Sequence, residues 1–146
     1  MRQVNRLDKI GIIDRSQTVN FFFNGEKYCG YKGDTIASAL IANNIKIIGR
    51  SFKYRRPRGI LTCDSAEPNA IMQVEKGSHT IANVLATQAE IYEGMVVESV
   101  NCSNLRFELR SAIQLFSGLI PAGFYYKTFM WPRSFWKKYE HFIRKA

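Results

Sequence analysis

Three cysteines, Cys29, Cys63 and Cys102, and two histidines, His79 and His141, are the side chains of this sequence best suited to hold a metal or attack a substrate. Their spacing argues against both uses. No Cys-x-x-Cys pair occurs, and neither histidine has a partner at metal-ligand or triad spacing. There is no H-E-x-x-H and no P-loop. Gly25, Gly30 and Gly33 lack the two- and three-residue steps of the dinucleotide fingerprint and read instead as turn glycines. Carboxylates stand singly, so no acid–base pair is formed. The residues thus offer no catalytic group, and no bond chemistry is expected of this chain alone.

Cysteines odd in number and dispersed fit a reducing compartment better than a disulfide framework. The first fifteen residues lack the apolar core of a signal peptide. No run reaches 18 apolar residues; the nearest approach, Ala112 to Tyr126, is broken by Gln114, Ser117, Gly118, Pro121 and Gly123. The expectation is a cytoplasmic protein that does not enter a membrane. With 146 residues, 46% of them apolar, the chain is long enough to bury a core.

The chemistry that is present is charge. Of the net +9, residues 50–58 contribute five basic groups and no acid, residues 127–146 a balance of +5, and residues 59–126 a balance of −4. Two basic patches therefore flank a mildly acidic middle, which points to an anionic partner: a phosphate, a nucleic acid or an acidic protein face. The first patch is the segment Gly49 to Ile60, GRSFKYRRPRGI. Here Arg50, Lys53, Arg55, Arg56 and Arg58 are interleaved with Phe52 and Tyr54. If the segment is extended, alternation sets Arg50, Phe52 and Tyr54 on one face and Ser51, Lys53 and Arg55 on the other. Pro57 stiffens the turn and Gly59 permits close approach. The readings are a solvated loop, a clamp on acidic groups of a neighbouring domain or subunit, or contact with a cofactor phosphate, which arginine's planar fork suits. A small basic nucleic-acid-binding module is the alternative, disfavoured because five charges above an acidic middle make a small footprint.

The elements that must position these residues follow from pattern. Residues 1–16 read as an irregular arm with Ile10, Ile12 and Ile13 as its apolar anchor. Thr18 to Phe23 and Glu26 to Gly30 read as strands joined by Asn24-Gly25, a type I′ hairpin signal. Asp34 or Thr35 caps a helix from Ile36 to Asn43, with Ile36, Ala39 and Leu40 on its buried face. A short strand is expected at Ile45 to Ile48, further strands at Ala70 to Glu75 and Met95 to Ser99, and a helix at Asn83 to Tyr92. Hairpin, helix and strands in this order give an α+β fold, a β-grasp (ferredoxin-like) domain over residues 17–100. Residues 101–146 form a helical, aromatic-rich connecting segment, with helices at Leu105 to Leu119 and Ser134 to Arg144. The second of these presents Phe135, Trp136, Tyr139, Phe142 and Ile143 on one stripe, which requires a partner.

The stretch GDTIASALIANNIKIIGRSFKYRRPRGILTCDSAEPNA, Gly33 to Ala70, resembles the N-terminal region of the alpha subunit of heterotetrameric sarcosine oxidase. So, in the same order, do ANVLATQAEIYEGM from Ala82, VNC from Val100 and AGFYYKTFMWP from Ala122. The resemblance spans nearly the whole chain. It implies a flavoenzyme that oxidatively demethylates sarcosine to glycine, with hydrogen peroxide and formaldehyde or methylene-tetrahydrofolate as products. It also implies FAD, FMN, NAD and tetrahydrofolate elsewhere in the complex, a flavin-bearing beta subunit, and the rest of the alpha subunit, beginning with an NAD-binding domain after this segment.

Related amine-oxidase subunits carry a [2Fe–2S] cluster in this ferredoxin-like domain. Three of its four thiolates would come from a C-x4-C-x2-C loop. With Cys63 first, Pro68 and Ile71 occupy the next two positions, and neither binds iron. The reading is a domain without an iron–sulfur cluster or any other bound cofactor, serving structure and assembly in a hetero-oligomer. The resemblance sets its basic segment where a cluster-bearing relative has its metal loop, and something other than a cluster must hold it in shape.

Overall fold

The computed structural model describes residues 3–7, 10–101, 104, 105, 107, 112, 115 and 133–135. The chain divides into two units, Met1–Gly49 with Arg58–Val100, and Arg50–Pro57 with Asn101–Ala146. The helices expected at 105–119 and 134–144 and the aromatic run at 122–132 lie outside the described residues, apart from isolated positions and a 3-10 turn at Arg133–Phe135.

In the first unit Asn24 and Gly25 take positive φ angles of 50° and 85°, the left-handed pair that a type I′ turn needs. They join β1 (Asp14–Phe23) to β2 (Glu26–Lys32) in antiparallel register, Phe21 facing Tyr28 and Phe23 facing Glu26. β1 begins four residues earlier than the β-branched run indicates, and its register shifts between Asp14 and Thr18. Gly33 and Asp34 leave the sheet, and α1 (Ile36–Ala42) follows. Its N-cap is Thr35, whose Oγ1 accepts from Ser38 N at 3.2 Å. Asn43 is the C-cap, and Asn44, at φ 64°, turns the chain away. β5 (Ile71–Val74), β6 (Ile81–Leu85) and β7 (Val96–Ser99) complete a five-stranded sheet in the order β2-β1-β7-β5-β6. β7 runs parallel to β1 and antiparallel to β5. A helix laid over a mixed sheet with this order is the β-grasp.

The core lies between α1 and one sheet face. Ile36, Ala39 and Leu40 of the helix and the inward side chains Phe21, Phe23, Met72, Val74 and Val97 of the sheet are all buried. Alternation along β1 turns Phe22 outward. The first amides of α1 have no partner within the helix. Ala89 O accepts from Ile36 N and Ala86 O from Ala37 N, both at 2.9 Å. The segment after β6 thus closes the helix end.

That segment corrects the expected helix at Asn83 to Tyr92. Residues 81–85 are strand β6, and only one helical turn follows, with Gln88 N and Ala89 N donating to Leu85 O. Leu85 to Glu90 is rich in helix formers, but pairing with β5 claims the preceding residues, and α1 claims the carbonyls of Ala86 and Ala89. Asn83, at φ 61°, and the register shift between Met72 and Val74 mark a bulge that twists this edge strand. The expected strand at Ile45 to Ile48 is also corrected. Ile45 N donates back to Leu40 O, only Ile48 is buried, and the chain becomes strand at β3 (Gly49–Arg50), paired with β4 (Pro57–Arg58).

The N-terminal arm is anchored mainly by polar groups. Ile10 and Ile12 are exposed, and only Ile13 is half-buried, beside Gly33. Instead Gln3 Nε2 donates to Cys29 O at 2.6 Å, and Asn5 N and Nδ2 donate to Ala42 O and Ile41 O. Arg6 sets its fork on Asp34, at 3.1 and 2.6 Å, and its guanidinium lies 5.2 Å from the Tyr31 ring centroid. Asp34 is 1% exposed and also accepts from Tyr31 N and Ser38 Oγ.

Candidate functional site

Two successive loops carry the residues singled out by sequence. The first, in the second unit, is the basic turn at 50–57. Ser51 N donates to Arg56 O at 2.9 Å and Arg56 N to Ser51 Oγ at 3.0 Å, closing the turn at its base. Arg55 N donates to Ser51 O, and Arg55 takes φ 54°. The segment is therefore not extended, and the expected alternation of faces does not form. Arg50 and Arg55, assigned to opposite faces, are both buried. Arg50 Nη1 donates to Arg55 O and Nη2 to Leu105 O, both at 2.7 Å, and Arg55 Nη1 donates to Asn101 O. These two cations are turned to main-chain carbonyls, with the Nε of Arg50 buried and without a hydrogen-bond partner. Lys53 Nζ and the Arg56 guanidinium lie 4.7 and 4.9 Å from the centroid of the Tyr54 ring, and Arg56 is exposed. Arg58 falls in the first unit, where it is exposed and donates to Asn69 Oδ1 at 3.2 Å.

Gly59 justifies its place by sterics. A Cβ there would sit 2.7 Å from Lys46 O, a backbone atom with little room to yield. Gly59→Ala is expected to destabilise the protein by about 1–3 kcal/mol, read as a lowered midpoint in urea unfolding. An unchanged midpoint would show that the backbone at Lys46 moves freely.

The second loop, residues 61–70 of the first unit, has at its centre a residue the sequence reading passed over. Glu67 is 4% exposed. Its Oε2 accepts from Leu61 N at 2.7 Å and Thr62 N at 2.6 Å, and its Oε1 from Asn69 N at 2.8 Å. Burial pushes its pKa up, but the amides of Thr62, Asn69, Leu61 and Ala70 outweigh that and hold it below the ordinary glutamate value. The surrounding loop is closed by Asp64, whose Oδ1 accepts from Ala66 N and whose carbonyl accepts from Thr87 Oγ1. Cys63 is exposed on this loop, and Cys29 is half-buried on β2. Composition and spacing carry no signal for Glu67; a glutamate beside a proline in a polar loop looks solvated until tertiary contacts enclose it.

A family model described as a 2Fe-2S iron-sulfur cluster binding domain matches residues 16–102. The chain is 49% identical over 143 residues, 97% of its length, to the sarcosine oxidase subunit alpha of Rhizobium meliloti (strain 1021). It is 37% identical over 62 residues to the subunit of the same name from Corynebacterium sp. (strain U-96). The chain spans 14% of the first of these relatives and 6% of the second. Among solved structures, L-proline dehydrogenase from P. horikoshii superposes with a TM-score of 0.52 at 24% identity, over 68% of this chain and 18% of that one, a likeness of fold.

The donor set does not fit the cluster that the family's description implies. Four thiolates are needed, and the whole sequence has three cysteines. Cys63 is on the 61–70 loop, Pro68 of that loop and Ile71 of β5 stand at the next two ligand positions, and Cys29 is on a strand. Among the described residues no three of His, Cys, Asp and Glu converge as metal ligands, and no helix is long and apolar enough to cross a membrane. With the match over residues 16–102 and the β-grasp topology, the chain belongs to the family of 2Fe-2S cluster-binding domains, as a member whose own thiols do not make up the cluster's ligand set.

Proposed function

We propose that this chain is the β-grasp module of an oxidoreductase of the sarcosine oxidase type, contributing structure and assembly and no bond chemistry of its own. The similarity to the Rhizobium meliloti subunit over 97% of the chain carries this reading. Its partners are then the remainder of an alpha subunit and a flavin-bearing beta subunit in a cytoplasmic hetero-oligomer. The FAD, FMN, NAD and tetrahydrofolate of such an enzyme are held outside this module. The complex would convert sarcosine to glycine, with hydrogen peroxide and formaldehyde or methylene-tetrahydrofolate as products.

The geometry of the basic turn supports a division of labour within the five cations. Arg50 and Arg55 bond main-chain carbonyls and shape the turn. Lys53, Arg56 and Arg58 are the ones whose positions suit acidic groups of a neighbouring subunit or a cofactor phosphate. Two of five cations directed inward also leave few phosphate contacts for a nucleic acid.

In the full-length enzyme, the double variant Lys53→Ala, Arg56→Ala should leave the fold intact and reduce recovery of the flavin-bearing subunit, with the deficit relative to wild type largest at low salt, where the contact is least screened. Unchanged assembly, flavin content and turnover would reduce the turn to a solvated loop. Tight binding of single strands at physiological salt, without a flavin-bearing partner, would support the nucleic-acid module instead.

A further inference from the structure

Backbone N–H groups that converge on one point form a site for an anion, and many iron–sulfur centres sit in such nests. The loop at 61–70 has this arrangement without the thiols to place a cluster in it. Leu61 N, Thr62 N and Asn69 N all point at one buried carboxylate, at 2.6 to 2.8 Å. Ala70 O accepts from Ala86 N at 2.8 Å, tying the loop to the turn after β6. Among the described residues neither ion pair includes this carboxylate, so its charge is balanced by peptide dipoles and not by a side-chain cation. Its negative charge is the property a cluster would otherwise supply. Buried amides left without an acceptor would be costly.

We propose that the Glu67 carboxylate is the built-in replacement for the metal centre in this domain: an internal anion that gathers the amides of residues 61, 62 and 69 and holds the former cluster loop in shape without iron. Glu67 is a positioning residue. It has no role in electron transfer, and through it the exposed loop from Leu61 to Ala66 becomes a rigid surface instead of a mobile one. This deepens the cluster-free reading of the domain and rests on it; it is independent of the assembly role.

The test is amide hydrogen exchange on the full-length protein. Wild type, expressed without added iron and treated with a chelator, should keep the amides of Leu61, Thr62 and Asn69 protected. In Glu67→Gln, which keeps one acceptor oxygen but turns an NH2 donor toward the remaining amides, those positions should exchange at least about tenfold faster. Protection at Phe21 and Val97, in the core strands, should be unchanged and serves as the check on folding. Equal loop protection in Glu67→Gln would overturn the role of Glu67 while leaving the cluster-free reading intact. Anaerobic treatment of wild type with ferrous iron and sulfide separates the two. Stoichiometric cluster formation, with loop amides protected only when iron is bound, would overturn both. Should Glu67→Gln fail to fold, the chelator-treated wild type alone still decides, since loss of loop protection on removing metal contradicts the proposal.

Discussion

Arg6→Met should lower the free energy of unfolding by about 3–5 kcal/mol, seen as an earlier transition in urea followed by circular dichroism. The magnitude follows from Asp34, which is 1% exposed and whose side-chain oxygens are held by the Arg6 fork, Tyr31 N and Ser38 Oγ. Removing the guanidinium leaves a buried carboxylate with two neutral donors and no counter-charge. Attraction within such a pair only roughly offsets the cost of desolvating it, so forming the pair adds little, whereas losing one member is expensive. Replacing Asp34 by leucine as well would not restore stability, because Tyr31 N and the Ser38 hydroxyl would then lack an acceptor. A loss under about 1 kcal/mol for Arg6→Met would mean that water reaches Asp34 once the arm is freed.

Leu40→Ala is the other large effect, with an expected loss of about 2–5 kcal/mol. Leu40 is fully buried under the sheet, and truncation leaves a cavity among neighbours that can only partly close. The adjacent Ile41 is 44% exposed on the outer side of the same short helix. Ile41→Ala should cost well under half as much, on the order of 1 kcal/mol or less. Equal losses at the two positions would contradict the face assigned to α1. Neither substitution touches the basic turn, so any change they cause in subunit assembly should track the lost stability.

Legibility from sequence varied with the range of the interactions involved. Asn24-Gly25, Thr35 as cap and the Ile36, Ala39, Leu40 stripe were readable because each rests on φ preferences or on spacing within one turn. The helix expected at Asn83 to Tyr92 failed because its residues prefer helix locally and are claimed by β5 and the end of α1. Ile10 and Ile12 of the arm misled for a related reason. Apolar residues near a terminus look like an anchor, but here Gln3, Asn5 and Arg6 find carbonyls and a carboxylate that only the folded domain brings into reach.

The basic segment shows the same division at a candidate site. Its charge, and the absence of a cluster's ligand set, follow from residue identities alone, since no fold can supply a thiolate the chain lacks. Which cations face inward does not follow from them. That choice depends on a closed turn that directs Arg50 and Arg55 to carbonyls, one of them 55 residues away in sequence. Glu67 is the sharper case. Its type and neighbours describe an ordinary solvated acid; folding the loop around it turns three backbone amides onto one carboxylate and makes it the centre of the loop. Local chemistry sets what each residue can do, and only the tertiary structure, by deciding what is buried beside it, selects which of those things it does.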